Sequence, residues 1–150
     1  ASLSEMIDSF GVNPGSVALE ITESVFSSEY DQINRILGEL KAKGLSIAID
    51  DFGTGYSSLA RESELNINCL KIDKAFIDNL LSYDPKKAIA SDIISMAHKF
   101  GHCVVAEGVE YEKQRQYLLE FGCDKIQGYL ISKPLDEDDA IEFLKRMNER

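Results

Sequence analysis

Short apolar runs alternate with helical periods along the chain. Leu3, Met6, Ile7 and Phe10 recur at helical spacing and stop at Gly11. Residues 17–23, VALEITE, read as a strand. Residues 28–43 place Ile33, Ile36, Leu37 and Leu40 on one helical face, with Gly44 as the stop. A second strand spans residues 45–51, and a short helix residues 57–62. The third strand is residues 68–73. Asp84 and Pro85 then cap a helix carrying Ile89, Ile93, Ile94 and Ala97, which ends at Gly101. Residues 103–107 are a fourth strand, residues 112–121 a helix stopped by Gly122, and residues 125–131 a fifth strand. Asp136 caps a last helix through Ile141, Phe143, Leu144 and Met147; with Pro134 and Leu135 it is expected to pack on and cap the fold. Strict strand-helix alternation predicts an α/β fold with a parallel sheet under helical cover, in a single domain.

The polar positions fall where the strands end. VALEITE, SIAIDD, CLKID and VVAEGVE each bring an apolar run up against Glu20, Asp50, Lys71 or Glu107, and in KIQGYL Gln127 follows Ile126. Side chains on a strand alternate faces, so Ala18 pairs with Glu20 and Ala48 with Asp50 on one side. Leu19, Ile21, Ile47 and Ile49 then point the other way, toward helices. One acid after a strand is usually a cap or a solvated turn residue. The same feature in successive units, at the carboxyl ends of parallel strands, is a site pattern. Carboxylates gathered together repel unless a cation neutralises them. Oxygen-only ligands favour a hard divalent ion, Mg²⁺ or Mn²⁺. Asp50 is expected to face the interior, and Asp51 to belong to the following loop and reach a second ion. Two ions with a lysine suit phosphodiester hydrolysis.

Composition narrows the classes. The chain has 150 residues, 44% hydrophobic, enough for one domain with a core. A net charge of -10 disfavours polymeric nucleic acid and anionic membrane surfaces as partners. No apolar run is long enough to span a membrane and no leader is seen, so a cytoplasmic location is expected, without membrane insertion. Cys69, Cys103 and Cys123 are odd in number and widely spaced, and read as buried reduced thiols that fit a reducing compartment. His98 and His102 lack ligand spacing and read as structural.

LEITES, AIDDFGTGYSSL, LKIDKAFI, VVAEGVE and DKIQGYLISKPL, in this order, strongly resemble the EAL-domain cyclic-di-GMP phosphodiesterases over essentially the whole chain. The resemblance implies a TIM-like barrel that opens cyclic-di-GMP to pGpG with two Mg²⁺ or Mn²⁺ ions. It implies metal ligation by Glu20, Asp50, Asp51 and Glu107, with Asp51 on the second ion. Lys71 resembles the catalytic lysine, Glu107 the group that holds or deprotonates the water, and Gln127 a residue beside that water. Glu23 resembles the anchor of the loop after Asp51, a loop linked to dimerisation. Regulatory or GGDEF-type domains are implied for a parent protein.

Such a barrel has eight strands and roughly 250 residues. This chain has 150. The strand bearing the Glu-Ala-Leu signature and the strand bearing a ligand asparagine are not found. The sequence is therefore expected to be the C-terminal portion of the domain, about five βα units of a partial barrel. It would pair as a homodimer or with a complementing N-terminal segment. A catalytically incompetent module that binds cyclic-di-GMP or a partner is the first alternative. A receiver-like phosphoacceptor on a five-stranded flavodoxin-like sheet is the second.

Overall fold

A computed structural model of the chain describes residues 3–27, 29–52, 64–81 and 89–149. Helix α1 (Leu3–Ser9) leads into β1 (Ala18–Thr22), α2 (Tyr30–Ala42), β2 (Ser46–Phe52), β3 (Cys69–Ile72) and the short α3 (Lys74–Asp78). Then follow α4 (Ala90–Lys99), β4 (Cys103–Ala106), α5 (Glu112–Glu120), β5 (Lys125–Ile126) and α6 (Glu137–Asn148). The glycines read as helix stops, Gly11, Gly44, Gly101 and Gly122, all take the left-handed backbone.

The five strands form one parallel sheet in the order β1-β2-β3-β4-β5. Each strand neighbours the next, which is how a barrel wall is laid down. A flavodoxin-like receiver needs the order 2-1-3-4-5, with a switch point, so that alternative is overturned. The fold is α/β, a partial (β/α)8-like barrel. Ile47 and Ile49 of β2, Leu70 and Ile72 of β3, and Val104 and Ala106 of β4 form one buried face. Leu37 of α2 and Ile93, Ile94 and Ala97 of α4 belong to the same core. Burying each large aliphatic side chain here contributes about 1.5–3 kcal/mol. This layer fixes the strands whose alternate residues carry the polar groups.

Several expectations change. Cys69 and Cys103 are not reduced thiols but a disulfide; they are register partners on β3 and β4, with Cα atoms 4.5 Å apart. Only Cys123 is free, so the argument for a reducing compartment loses its footing. The fifth strand is two residues long, because the chain turns at Gly128. A Cβ at Gly128 would run into the backbone of Val109, so only glycine lets the two segments approach this closely. The short α3 was not foreseen. Asp73 caps it, its side chain accepting from the Ala75 N–H at 2.8 Å. Helix α6 starts at its expected cap, Asp136, but buries no residue: Ile141, Leu144 and Met147 are 45–60% exposed. It does not cap the barrel among the described residues. The helix expected at residues 57–62 and the Asp84-Pro85 cap lie outside the described residues.

Candidate functional site

Lys71 lies in the middle of β3 with its side chain only 6% exposed. A lysine there needs partners, since an unpaired buried ammonium is strongly disfavoured. It has three. Its Nζ donates to Glu20 Oε2 at 2.8 Å and lies 3.1 Å from Asp50 Oδ1 and 2.8 Å from Glu107 Oε1. These carboxylates come from β1, from β2 and from the residue after β4, so residues distant in sequence meet at one rim. Burial opposes the ammonium charge, but bonding to Glu107, Glu20 and Asp50 outweighs it and holds Lys71 above its ordinary value. At neutral pH Lys71 is a cation and a donor, not a base.

The adjacent acids Asp50 and Asp51 are resolved by the backbone. On a regular strand they would face opposite sides. The β2–β3 register shifts between Ile49 and Phe52, and Asp51 has a φ of 53°, in the left-handed region. A bulge of this kind re-aims side chains, and here it brings both acids to the same rim. Asp51 is thus part of β2, not of the loop that follows. One carboxylate oxygen from each of Asp50, Asp51 and Glu107 lies within 4.8 Å of the others. Burial and then Asp50 and Asp73 push the Asp51 carboxyl up. Burial also pushes Glu107 up, Lys71 opposes it, and Asp50 adds to the rise. These are the marks of carboxylates that gain from a cation. Three oxygen donors at this spacing fit a hard divalent ion. Glu20 reaches Lys71 and is not part of that trio.

Glu107 is held by a tight corner. Its N–H donates to Ile72 O, and the Gln127 N–H donates to Ala106 O, so Gln127 follows β5 directly beside Glu107. A side chain on Gly108, whose φ is 67°, would collide with the stem of Lys74. Lys74 in turn bridges Asp78 and Glu110, each at 2.9 Å, tying the Glu107 turn to α3.

The sheet's inner face lines an open cavity of about 490 Å³ bordered by Glu20, Lys71, Lys125, Gln127 and the two bonded cysteines. Glu23 is buried just after β1. The loop it is expected to hold lies outside the described residues. Two participants were missed from sequence. Asp73 stands two positions from Lys71 and presses on Asp51; period two in the string KID was the available signal. Lys125 lines the cavity from β5, and the same period marked it. His98, read as structural, sits 2.9 Å from Asp124, which also accepts from the Val104 N–H.

Comparison with known proteins adds four findings. The family model described as EAL domain matches residues 1–134. The curated relative "Cyclic di-GMP phosphodiesterase NbdA" of Pseudomonas aeruginosa is 44% identical over 127 residues, 85% of this chain and 16% of that protein. The PaMucR phosphodiesterase, solved as a c-di-GMP complex, superimposes with a TM-score of 0.85 at 37% identity, over 92% of this chain and 56% of that one. Klebsiella pneumoniae BlrP1, solved as a manganese/cy-diGMP complex, does so with a TM-score of 0.77 at 32% identity, over 88% of this chain and 34% of that one. The chain spans from 16% to 36% of the length of the first four curated relatives it matches. No helix among the described residues is long and apolar enough to cross a membrane.

Proposed function

The chain belongs to the EAL domain family, and on that premise we propose that it carries most of the catalytic rim of a cyclic di-GMP phosphodiesterase. The reaction is hydrolysis to linear pGpG. A water oxygen bonds to phosphorus, the bond to the 3′ oxygen breaks, and that oxygen takes a proton. The observation that carries this reading is the meeting of Lys71 with Glu20, Asp50 and Glu107 beside the Asp50–Asp51–Glu107 oxygen trio.

Asp50, Asp51 and Glu107 would hold Mg²⁺ or Mn²⁺, with Glu20 as a further ligand. When bound, two such ions supply Lewis acidity and an activated water. Lys71, fixed as a cation, donates to the phosphoryl oxygens as their charge grows. Glu107 accepts the water's proton at a carboxylate oxygen, and Gln127, its neighbour on the rim, orients that water. Asp73 stands beside Asp51 and adds negative charge to the rim. Glu23 anchors the loop after β2, and through that loop the domain pairs with a second copy. Regulatory domains in a longer protein and a cytoplasmic setting complete the proposal.

The test is incubation with Mn²⁺ and cyclic di-GMP followed by chromatography, with Asp50→Asn as the control. Release of pGpG by the wild type and not by the variant supports the reading. Substrate left intact under conditions where Mn²⁺ demonstrably binds overturns it for this chain. A second reading, a module that binds cyclic di-GMP without cutting it, is favoured by one observation. Among the described residues a single carboxylate group, Asp50, Asp51 and Glu107, gathers to serve the two ions proposed. Binding without product in a chain extended to a closed barrel selects that reading.

A further inference from the structure

Strands β3 and β4 are joined by their hydrogen-bond ladder and also by the Cys69–Cys103 bond. Period two puts Cys69 on the same face as Lys71, one pleat or roughly 6.6 Å along β3. Both cysteines line the cavity together with Glu20 and Lys71. Cys69 is buried, Cys103 half-buried. The same two strands carry the ends of the Lys71–Glu107 ion pair at 2.8 Å. The covalent link therefore sits in the wall of the cavity, directly under the group that depends on β3 and β4 keeping their register.

We propose that Cys69–Cys103 is a thiol-exchangeable cross-link, and that its redox state sets how firmly Lys71 is held against Glu107. The reductant is a dithiol small enough to enter the cavity. Its thiolate attacks the Sγ of Cys103, the less buried of the two residues; the S–S bond breaks, and Cys69 leaves as a thiolate that takes a proton. The second thiol of the reductant then displaces Cys103 and closes the reductant's own disulfide. The pair gains two electrons and two protons, and the reductant loses the same. Cys123 lies outside this exchange. Its Sγ is occupied by the carbonyls of Lys125, at 3.2 Å, and Val104, at 3.7 Å.

The proposal does not need the phosphodiesterase reading, and both measurements are made without substrate. In the first, the chain is oxidised with glutathione disulfide, denatured and alkylated with N-ethylmaleimide, and the adducts are counted by mass. One adduct before reduction and three after is the expected result, since the chain has three cysteines of which one is free. Three adducts before reduction overturn the cross-link. In the second, native oxidised and reduced protein are compared by acetic anhydride labelling and peptide mapping. Reduction should raise Lys71 acetylation by about threefold or more, as local opening exposes it, while the exposed Lys145 is unchanged. Cys69→Ala/Cys103→Ala should label at the fast rate in both conditions; Cys69→Val/Cys103→Val serves if the first variant does not fold. Equal Lys71 labelling in the oxidised and reduced wild type overturns the coupling to the ion pair.

Discussion

The two faces of the sheet are built from alternate residues of the same strands, yet they obey different rules. On the helix side, Ile47, Ile49, Leu70, Ile72, Val104 and Ala106 are at most 1% exposed and are selected by volume. On the cavity side, one position along, stand Glu20, Ala48, Lys71, Cys69, Cys103 and Lys125, small, charged or cross-linked. One face excludes water and holds the strands. The other gathers charges that no isolated strand would bury. The difference teaches that a single-residue step along β3, from Leu70 to Lys71, passes from determinants of stability to determinants of chemistry.

Substitutions at those two neighbours test the contrast most strongly. Lys71→Met should reduce the proposed hydrolysis by about 10³-fold, or about 4 kcal/mol, in a chain extended to a closed barrel and assayed for pGpG. Activity within tenfold of wild type would break the division between faces. Leu70→Ala should lower unfolding free energy by about 3 kcal/mol in a denaturant titration, through lost burial and a residual cavity. A loss below about 1 kcal/mol would mean the helix-side layer is not the core. Gly108→Ala joins the two faces. Its left-handed backbone and the Lys74 stem should together cost about 1–3 kcal/mol, read in the same titration. An unchanged midpoint would show that the Glu107 corner yields easily.

The smallest effect concerns Asp124, at the edge of the core. Burial pushes its carboxyl up, but His98 and the Val104 N–H win and hold it below its ordinary value of 3.8. A carboxyl held low in the folded state stabilises fully above the unfolded value, and the effect fades as pH falls through the folded one. Asp124→Asn should therefore lose under about 1 kcal/mol at pH 6, given a side chain 40% exposed. The deficit should disappear in acid. Melting curves at stepped pH check the sign; a deficit that grows toward acid would contradict it.

Much of this plan was legible from the sequence. Periodicity alone placed four strands within a residue or two of their bounds, because their apolar runs end at charges or turns. The fifth was overextended, since nothing in KIQGYL signals that Gly128 must pass over Val109. Helix α3 is too short for a helical period to register. The charged rim was legible from Glu20, Asp50, Lys71 and Glu107, which mark strand ends. Two features were not. The bulge at Asp50–Asp51 is a property of pairing with β3, and the Cys69–Cys103 bond depends on strand register; neither can be read from one strand at a time. Helix α6 shows the opposite failure: its amphipathic pattern is clear, but pattern does not say whether a surface is there to receive it.

The twisted peptide unit at Asp51 has one more implication. Glycine would relax there, and most side-chain-bearing residues would resist. The chain keeps an acid at that spot, so it forgoes firmness for aim. Asp51→Gly should melt later than the natural chain while gripping manganese less well, a trade in which a sturdier molecule is the poorer one.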